Sequence, residues 1–334
     1  MIVRAADITQ TNNTVDGQVS GYLGDHLLTS GAELRKTELE HSRNIANGSV
    51  DATQSAVYLQ DEFGFGDLAL TLSGRLDHHE TYGTEFSPRA YALYTLTDEW
   101  VIKGGAGKAF KAPTLAQSSE GFSTTACRGA CQVIGNPDLK PETAVSYELG
   151  TAYESARFGA GVTGFHNEIE DLIQSDQWGP GYRPTVMTYL NVKEARIKGL
   201  ELTGWVDVLD NVKLTGNFTL LDSVDRSTGD DLAKTPDHTG NLGLDWQASE
   251  LVSANLAWQY VGSQVITVPA RTAQAFTSKH YQTLDVNTNW TVTPALDFKL
   301  GITNLTNTKR DEVATDADFI LEGRTVYAGV DYKL

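Results

Sequence analysis

The chain contains only two cysteines, Cys127 and Cys131, which stand four positions apart around Arg128, Gly129 and Ala130. That spacing suits a small surface disulfide in an oxidising compartment, where closing so short a loop gains only about 2 kcal/mol of chain entropy. A zinc site is the rival chemistry, but no second Cys or His pair lies nearby to complete four ligands. The pair sits within residues 111–143, KAPTLAQSSEGFSTTACRGACQVIGNPDLKPET, a Gly- and Pro-punctuated excursion between two segments of alternating pattern. A connection of that length inside a regular sheet is the mark of a binding loop.

Other groupings of reactive side chains carry less. GGAGKAF at 104–110 looks like a phosphate loop, yet no Ser or Thr follows Lys108 and no helix pattern lies behind it. His78 and His79 stand beside Asp77 and Glu80, but on a short loop they read as a solvated cluster rather than a metal site. Asp230 with Asp231, and Asp316 with Asp318, lack the alternate spacing of a calcium loop. A hydrolase would need Ser, His and a polar orienter at one level of the sheet, and the strand registers bring no such pair together. The chain is therefore read as a non-enzyme with no metal and no cofactor of its own.

The elements that must position the long loop are strands. Val252, Ala254, Leu256, Trp258 and Tyr260 point one way while Ser253, Asn255, Ala257 and Gln259 point the other. Leu284, Val286, Trp290 and Val292 repeat the pattern, as do Leu296, Phe298, Leu300 and Ile302, then Leu68, Leu70 and Leu72, then Leu214, Phe218 and Leu220. Strict period-two alternation over about ten residues describes a sheet with a different solvent on each face. Short turns are expected near Gly24, Gly66, Asp98, Ser155, Asp210, Glu250 and Pro294. They alternate with longer excursions at about 42–53, 79–87, 111–143, 170–185, 225–237, 264–279 and 306–323. Short and long connections in strict alternation make an up-and-down meander with all its long loops at one end, unlike a Greek-key sandwich.

Charge and aromatic placement name the two solvents. With 43 acidic against 26 basic residues the formal charge is -17, which excludes nucleic acid as a partner. No run of about 18 apolar residues exists to form a membrane-spanning helix, but a spanning β-barrel signals itself by alternation instead. Trp100, Trp205, Trp246 and Trp290 each fall close to a short turn, joined by Phe63, Phe65, Tyr153 and Phe158. Rings gathered at one level match a bilayer interface. The opening MIVRAADITQ shows no basic segment followed by an apolar one, so export information is expected outside this sequence. About 15 strands are counted. The first and last of an odd meander run the same way and cannot pair antiparallel, whereas bacterial barrels have even counts, so the chain is expected to be part of a larger barrel.

With the strands placed, the motifs resemble a known family. QDEFGFGDLALTLSGRLDHHETYG (60–83), SPRAYALY (87–94), KGGAGKAFKAPTL (103–115), ACRGACQVIGNPDLKPET (126–143), YLNVKEARIKGLEL (189–202), GITNLTNTKRDE (301–312) and EGRTVYAGVDYKL (322–334) are similar to the C-terminal barrel portion of TonB-dependent outer-membrane receptors. Within that family the chain is most like catecholate siderophore receptors of the colicin I receptor type. The resemblance implies an all-β transmembrane antiparallel up-and-down barrel of which this chain supplies about 15 of 22 strands. It also implies that residues 1–334 form the C-terminal part of the barrel without the plug domain.

The same resemblance implies the function: an outer-membrane receptor for ferric catecholate siderophores in a Gram-negative cell, with iron present only inside the bound complex. Coupling to TonB would run through N-terminal parts not in this sequence, and colicin is a further expected partner alongside outer-membrane lipid. An anionic, aromatic ligand calls for cations and aromatic faces on the loops. By resemblance Arg128 and Arg183 contribute to binding siderophore or colicin, and Trp178 and Tyr182 are the candidate aromatic partners on the same loop as Arg183. A disulfide between Cys127 and Cys131 would hold Arg128 in place and lower its ordering cost. The alternative for the chain by itself is a passive outer-membrane pore or a non-functional barrel fragment.

Overall fold

The structure, a computed structural model, describes residues 8–41, 45, 48–126, 131–177, 186–267, 276–313 and 321–333. These residues form 19 strands and two single-turn helices. Fifteen of the strands form one antiparallel meander: β1 (Ile8–Leu23), β2 (His26–His41), β3 (Ser49–Phe65), β4 (Leu68–His79), β5 (Gly83–Thr97), β6 (Trp100–Lys111), β9 (Glu142–Glu154), β10 (Phe158–Gln177), β11 (Val186–Leu209), β12 (Val212–Asp225), β13 (His238–Ser249), β14 (Val252–Val261), β17 (Tyr281–Thr293), β18 (Leu296–Thr303) and β19 (Thr325–Tyr332). The remaining four, β7 (Ser123–Ala126), β8 (Cys131–Ile134), β15 (Gln264–Thr267) and β16 (Phe276–Ser278), lie in connections at the long-loop end. Helix α1 (Leu115–Ser118) precedes β7 and α2 (Arg310–Val313) precedes β19.

The expected alternation of short and long connections holds everywhere except between β4 and β5. Strands at the other end are joined by tight turns, with Gly24 and Gly66 at positive φ where a side chain would strain the backbone. Three boundaries differ from expectation. Residues 79–87 are not a long excursion: β4 and β5 pair as far as His79 with Gly83, leaving only 80–82 as turn. β3 begins at Ser49, and β10 runs on to Gln177. These strand ends project past the apolar band, where strict alternation of apolar and polar residues breaks down and no longer marks a strand.

Register confirms that the two faces differ. Following the pairs Leu149 with Gly164, Gly164 with Leu200 and Leu200 with Leu220 keeps to one face, as does Leu242 with Trp258 and Trp258 with Leu284. That face leaves Val57, Leu59, Leu149, Leu200, Leu242 and Leu300 exposed, an apolar surface suited to hydrocarbon and not to water. Trp100, Trp246 and Trp290 lie on it near the short turns, as expected. Trp205 does not. It pairs with Gly159 and Thr215 on the opposite face, donates its indole N–H to Glu154 at 2.9 Å and has the Lys213 ammonium 4.1 Å above its ring. The one-residue parity of β11 decides this.

The second face is polar and cross-linked. Asn241 donates to Asn217 at 2.9 Å, Asn255 to Asp245 at 2.7 Å and Asn287 to Asn255 at 3.2 Å. On β2–β4, Arg75 Nε donates to both Asp77 carboxylate oxygens at 3.1 Å, its Nη2 reaches Glu33 at 3.2 Å, and Gln54 donates to Asp77 at 3.0 Å. Asp77 and His79 are buried, which corrects the solvated cluster expected at 77–80; His78 is exposed and bonded to Thr84. Among the described residues no cluster of three or more His, Cys, Asp or Glu side chains is arranged to hold a metal. Arg75→Ala strips the buried Asp77 carboxylate of its cation and is expected to cost about 2 kcal/mol. The loss would be read as a lower temperature at which the folded form disappears in a heat-modifiability gel, with Arg75→Lys intermediate.

Candidate ligand-binding mouth

The described residues of the excursion at 111–143 pack as a unit. Thr114 caps α1, its hydroxyl accepting from Gln117 N at 3.2 Å while the Gln117 side chain accepts from Thr114 N at 2.9 Å. The chain then forms the β7–β8 hairpin, with Ser123 opposite Ile134 and Ala126 opposite Cys131. Gly135 N donates to Phe122 O at 3.0 Å and Asn136 N to Gln117 O at 2.6 Å, which folds the return limb onto α1. Pro113, Phe122, Val133, Gly135 and Leu139 are buried inside this unit.

Two sides of the wall hold it. Helix α1 lies against β2 and β3, where Leu39, Ala52 and Ala56 on the polar face are buried. At its far side β8 runs parallel to the start of β11, pairing Gln132 with Val186, Val133 with Met187 and Ile134 with Thr188. Thr188 is fully buried and its hydroxyl donates to Ile134 O at 3.1 Å. Asn136 donates to Tyr189 O at 2.9 Å. Asn191 accepts from Lys140 N at 2.9 Å and donates to Lys140 O and Asp171 O at 3.0 and 2.6 Å. The loop thus spans the mouth from β2 to β11.

Arg128 and Cys127 fall in residues 127–130, and Trp178, Tyr182 and Arg183 in residues 178–185, all outside the described residues. Cys131 opens β8, but its side chain also lies outside them, and with it the expected Cys127–Cys131 disulfide. The structure does place what brackets these segments. Residues 127–130 close the β7–β8 hairpin and residues 178–185 join β10 to β11, and the β8–β11 pairing sets Gln132 beside Val186. Gln132, which follows the first of these segments by two residues, and Val186, which directly follows the second, are therefore neighbours.

Sequence reasoning missed the residues that hold this arrangement, Gly135, Asn136, Thr188 and Asn191. The Asn136–Pro137 dipeptide is a turn signal that could have pointed to the first two. It also missed two cation–aromatic pairs on the polar face. The Arg75 guanidinium stands 5.9 Å from the Tyr58 ring centroid, and that of Arg89 stands 5.4 Å from Tyr91. Such faces suit anionic aromatic groups. Across the mouth the connection 226–237 packs on the β15–β16 hairpin, with Lys234 N donating to Val265 O at 2.6 Å and Leu232 and Ile266 buried.

A wall with one apolar and one polar face, tight turns at one end and a packed connection bridging the other describes a β-barrel wall of the outer-membrane type. Residues 4–305 match the family described as TonB dependent receptor-like, beta-barrel, and the chain belongs to that family. It is 27% identical to the iron-regulated outer membrane virulence protein of Vibrio cholerae serotype O1, over 98% of this chain and 52% of that protein. It is 31% identical to the ferric enterobactin receptor PirA of Pseudomonas aeruginosa, over 72% of this chain and 37% of that one. The crystal structure of the siderophore receptor PirA from Pseudomonas aeruginosa superposes with a TM-score of 0.78 at 26% identity, covering 97% of this chain and 57% of that chain. The chain spans about half the length of the curated relatives it matches. The polar face is accordingly the lumenal wall of an outer-membrane barrel in a Gram-negative cell.

Proposed function

We propose that the chain forms the ligand-capturing part of a receptor for ferric catecholate siderophores, of the colicin I receptor type, acting without catalysis and without a cofactor of its own. Iron enters only inside the bound complex. Arg128 and Arg183 neutralise the anionic catecholates, Trp178 and Tyr182 offer ring faces, and a Cys127–Cys131 disulfide narrows the freedom of Arg128. The observation that carries this reading is the parallel β8–β11 pairing, which sets the anchor points of both arginine-bearing segments side by side at the mouth. Relatives named as ferric enterobactin receptors support the ligand class. Transport across the membrane would need a plug and contact with TonB, supplied by segments beyond residues 1–334, and colicin would use the same loops.

The test places Arg128→Ala in a receptor carrying this chain together with a plug. Binding of ferric enterobactin, followed by quenching of intrinsic fluorescence, is expected to weaken about ten- to a hundredfold, the worth of a charge-assisted hydrogen bond. Arg128→Lys should recover part of the loss. Unchanged binding together with unchanged colicin sensitivity would overturn the assignment of this loop.

A further inference from the structure

At the mouth, between the connection 226–237 and the β15–β16 hairpin, lies a cavity of about 670 Å³. Alternation along β12 sends Leu220 to the apolar face, so Leu221 and Ser223, which line the cavity, face the lumen. The volume falls within the range of about 300–1,000 Å³ usual for small-molecule sites. None of the lining residues belongs to β8, to β11 or to the segments that carry Arg128 and Arg183. Hydroxyl groups dominate this lining: Ser223, Thr235, Ser263, Thr277 and Ser278 each supply one, Gln264 adds an amide, and Leu221 and Val265 are its apolar members. Ser278 is 1% exposed and its hydroxyl has no hydrogen-bond partner among the described residues. A buried hydroxyl left unpaired in the wall of a polar cavity is a position that a ligand atom would satisfy.

Charge narrows the class of ligand. Lys279 is the one permanent cation among the described lining residues, against the carboxylates of Asp222, Asp231 and Asp237, so the cavity disfavours an anion. Two of those carboxylates are already engaged. Asp222 lies on the same face as Leu220, where Arg196 and Lys198 pair with it at 3.3 and 3.2 Å, and Asp237 stands 2.8 Å from His238 Nδ1. Asp231 is then set against Lys279, which leaves a cation little net charge to hold it. An apolar ligand would strand the hydroxyls without partners. The lining matches an uncharged ligand whose own hydroxyls both donate and accept.

We infer that this cavity binds a small uncharged saccharide of about one or two rings. Its hydroxyls exchange hydrogen bonds with Ser223, Gln264 and Thr277, one of them pairs with the Ser278 hydroxyl, and its C–H faces lie on Leu221 and Val265. The inference uses neither candidate arginine and nothing of the siderophore reading, so the two fail separately.

A receptor carrying this chain together with a plug is purified in lauryldimethylamine oxide, a detergent without a sugar headgroup to compete. It is offered glucose, galactose, mannose, N-acetylglucosamine, maltose and lactose. Saturation-transfer NMR should show at least one of them bound, and its Kd should move less than about twofold between low and high salt, because no charge is paired on binding. Ser278→Ala removes a buried unpaired hydroxyl, so the heat-modifiability transition should hold or rise while that Kd rises about three- to tenfold. Gln264→Ala should weaken binding by a similar factor. Saturation transfer to none of the sugars, binding that high salt abolishes, or a Kd untouched by both variants would overturn the inference.

Discussion

Gly135→Val is expected to unseat the connection between β6 and β9 and to abolish ligand capture while leaving the wall folded. A Cβ at Gly135 would fall on the Ser119 carbonyl oxygen, with the Ala116 carbonyl oxygen 3.2 Å away. Both obstacles are backbone, so no rotamer change relieves them. Gly135 N also donates to Phe122 O at 3.0 Å, which fixes the approach of the two limbs. Overpacking at such a point costs about 1–3 kcal/mol in a core that can shift, and this unit is small enough for that to outweigh its docking on β11. Ferric enterobactin binding should fall a hundredfold or more, roughly 2.7 kcal/mol. Limited proteolysis should cut within residues 112–141, and the heat-modifiability transition of the barrel should move little. Binding within threefold of the parent would show that the loop's internal packing does not matter for capture.

Leu242→Arg is the second large effect, and it separates the two faces of the wall. Leu242 sits mid-strand in β13 on the apolar face, opposite Gly216 and Trp258, and is well exposed. An arginine there faces hydrocarbon and is expected to cost about 2–4 kcal/mol near the bilayer midplane. Its neighbour Asn241 points to the lumen, where it meets Asn217 at 2.9 Å. Asn241→Arg places the same charge in water and should cost little more than one exposed hydrogen bond, about 1 kcal/mol. Yield of folded protein in lipid vesicles reads the difference. Equal losses in the two variants would mean that the faces are not separated as the register indicates.

Most of the wall is legible in the sequence because hydrocarbon imposes a strict rule on alternate residues. The runs from Val252 to Tyr260 and from Leu284 to Val292 face as read, and the 15-strand meander matches the count. Where that rule stops acting, pattern and structure part: β3 and β10 extend beyond the apolar band, and 79–87 is mostly strand. Distance from a turn groups Trp205 with the interface rings, although the parity of Leu200 and Leu202 already sets it on the other face. Inside the long loop, α1, β7 and β8 are four residues each, too short for any period to register. The β8–β11 pairing joins residues more than 50 positions apart, such as Gln132 with Val186. Only tertiary packing specifies such a contact. The chemistry of the candidate ligand-binding residues comes from resemblance, and the fold adds which strands flank their segments.

The bridging loop also sets how the wall carries load. From β2 to β11 the meander passes through β3, β4, β5, β6, β9 and β10, an arc of seven strand spacings or about 34 Å of wall. A sheet alone resists stretching along its hydrogen bonds but flexes readily across them. With α1 against β2 and β3 and β8 hydrogen-bonded to β11, the arc has a strut across its opening, as a bow is braced by its string. A load on the loop is therefore shared between two distant roots, which braces the opening between β2 and β11 against a change of width.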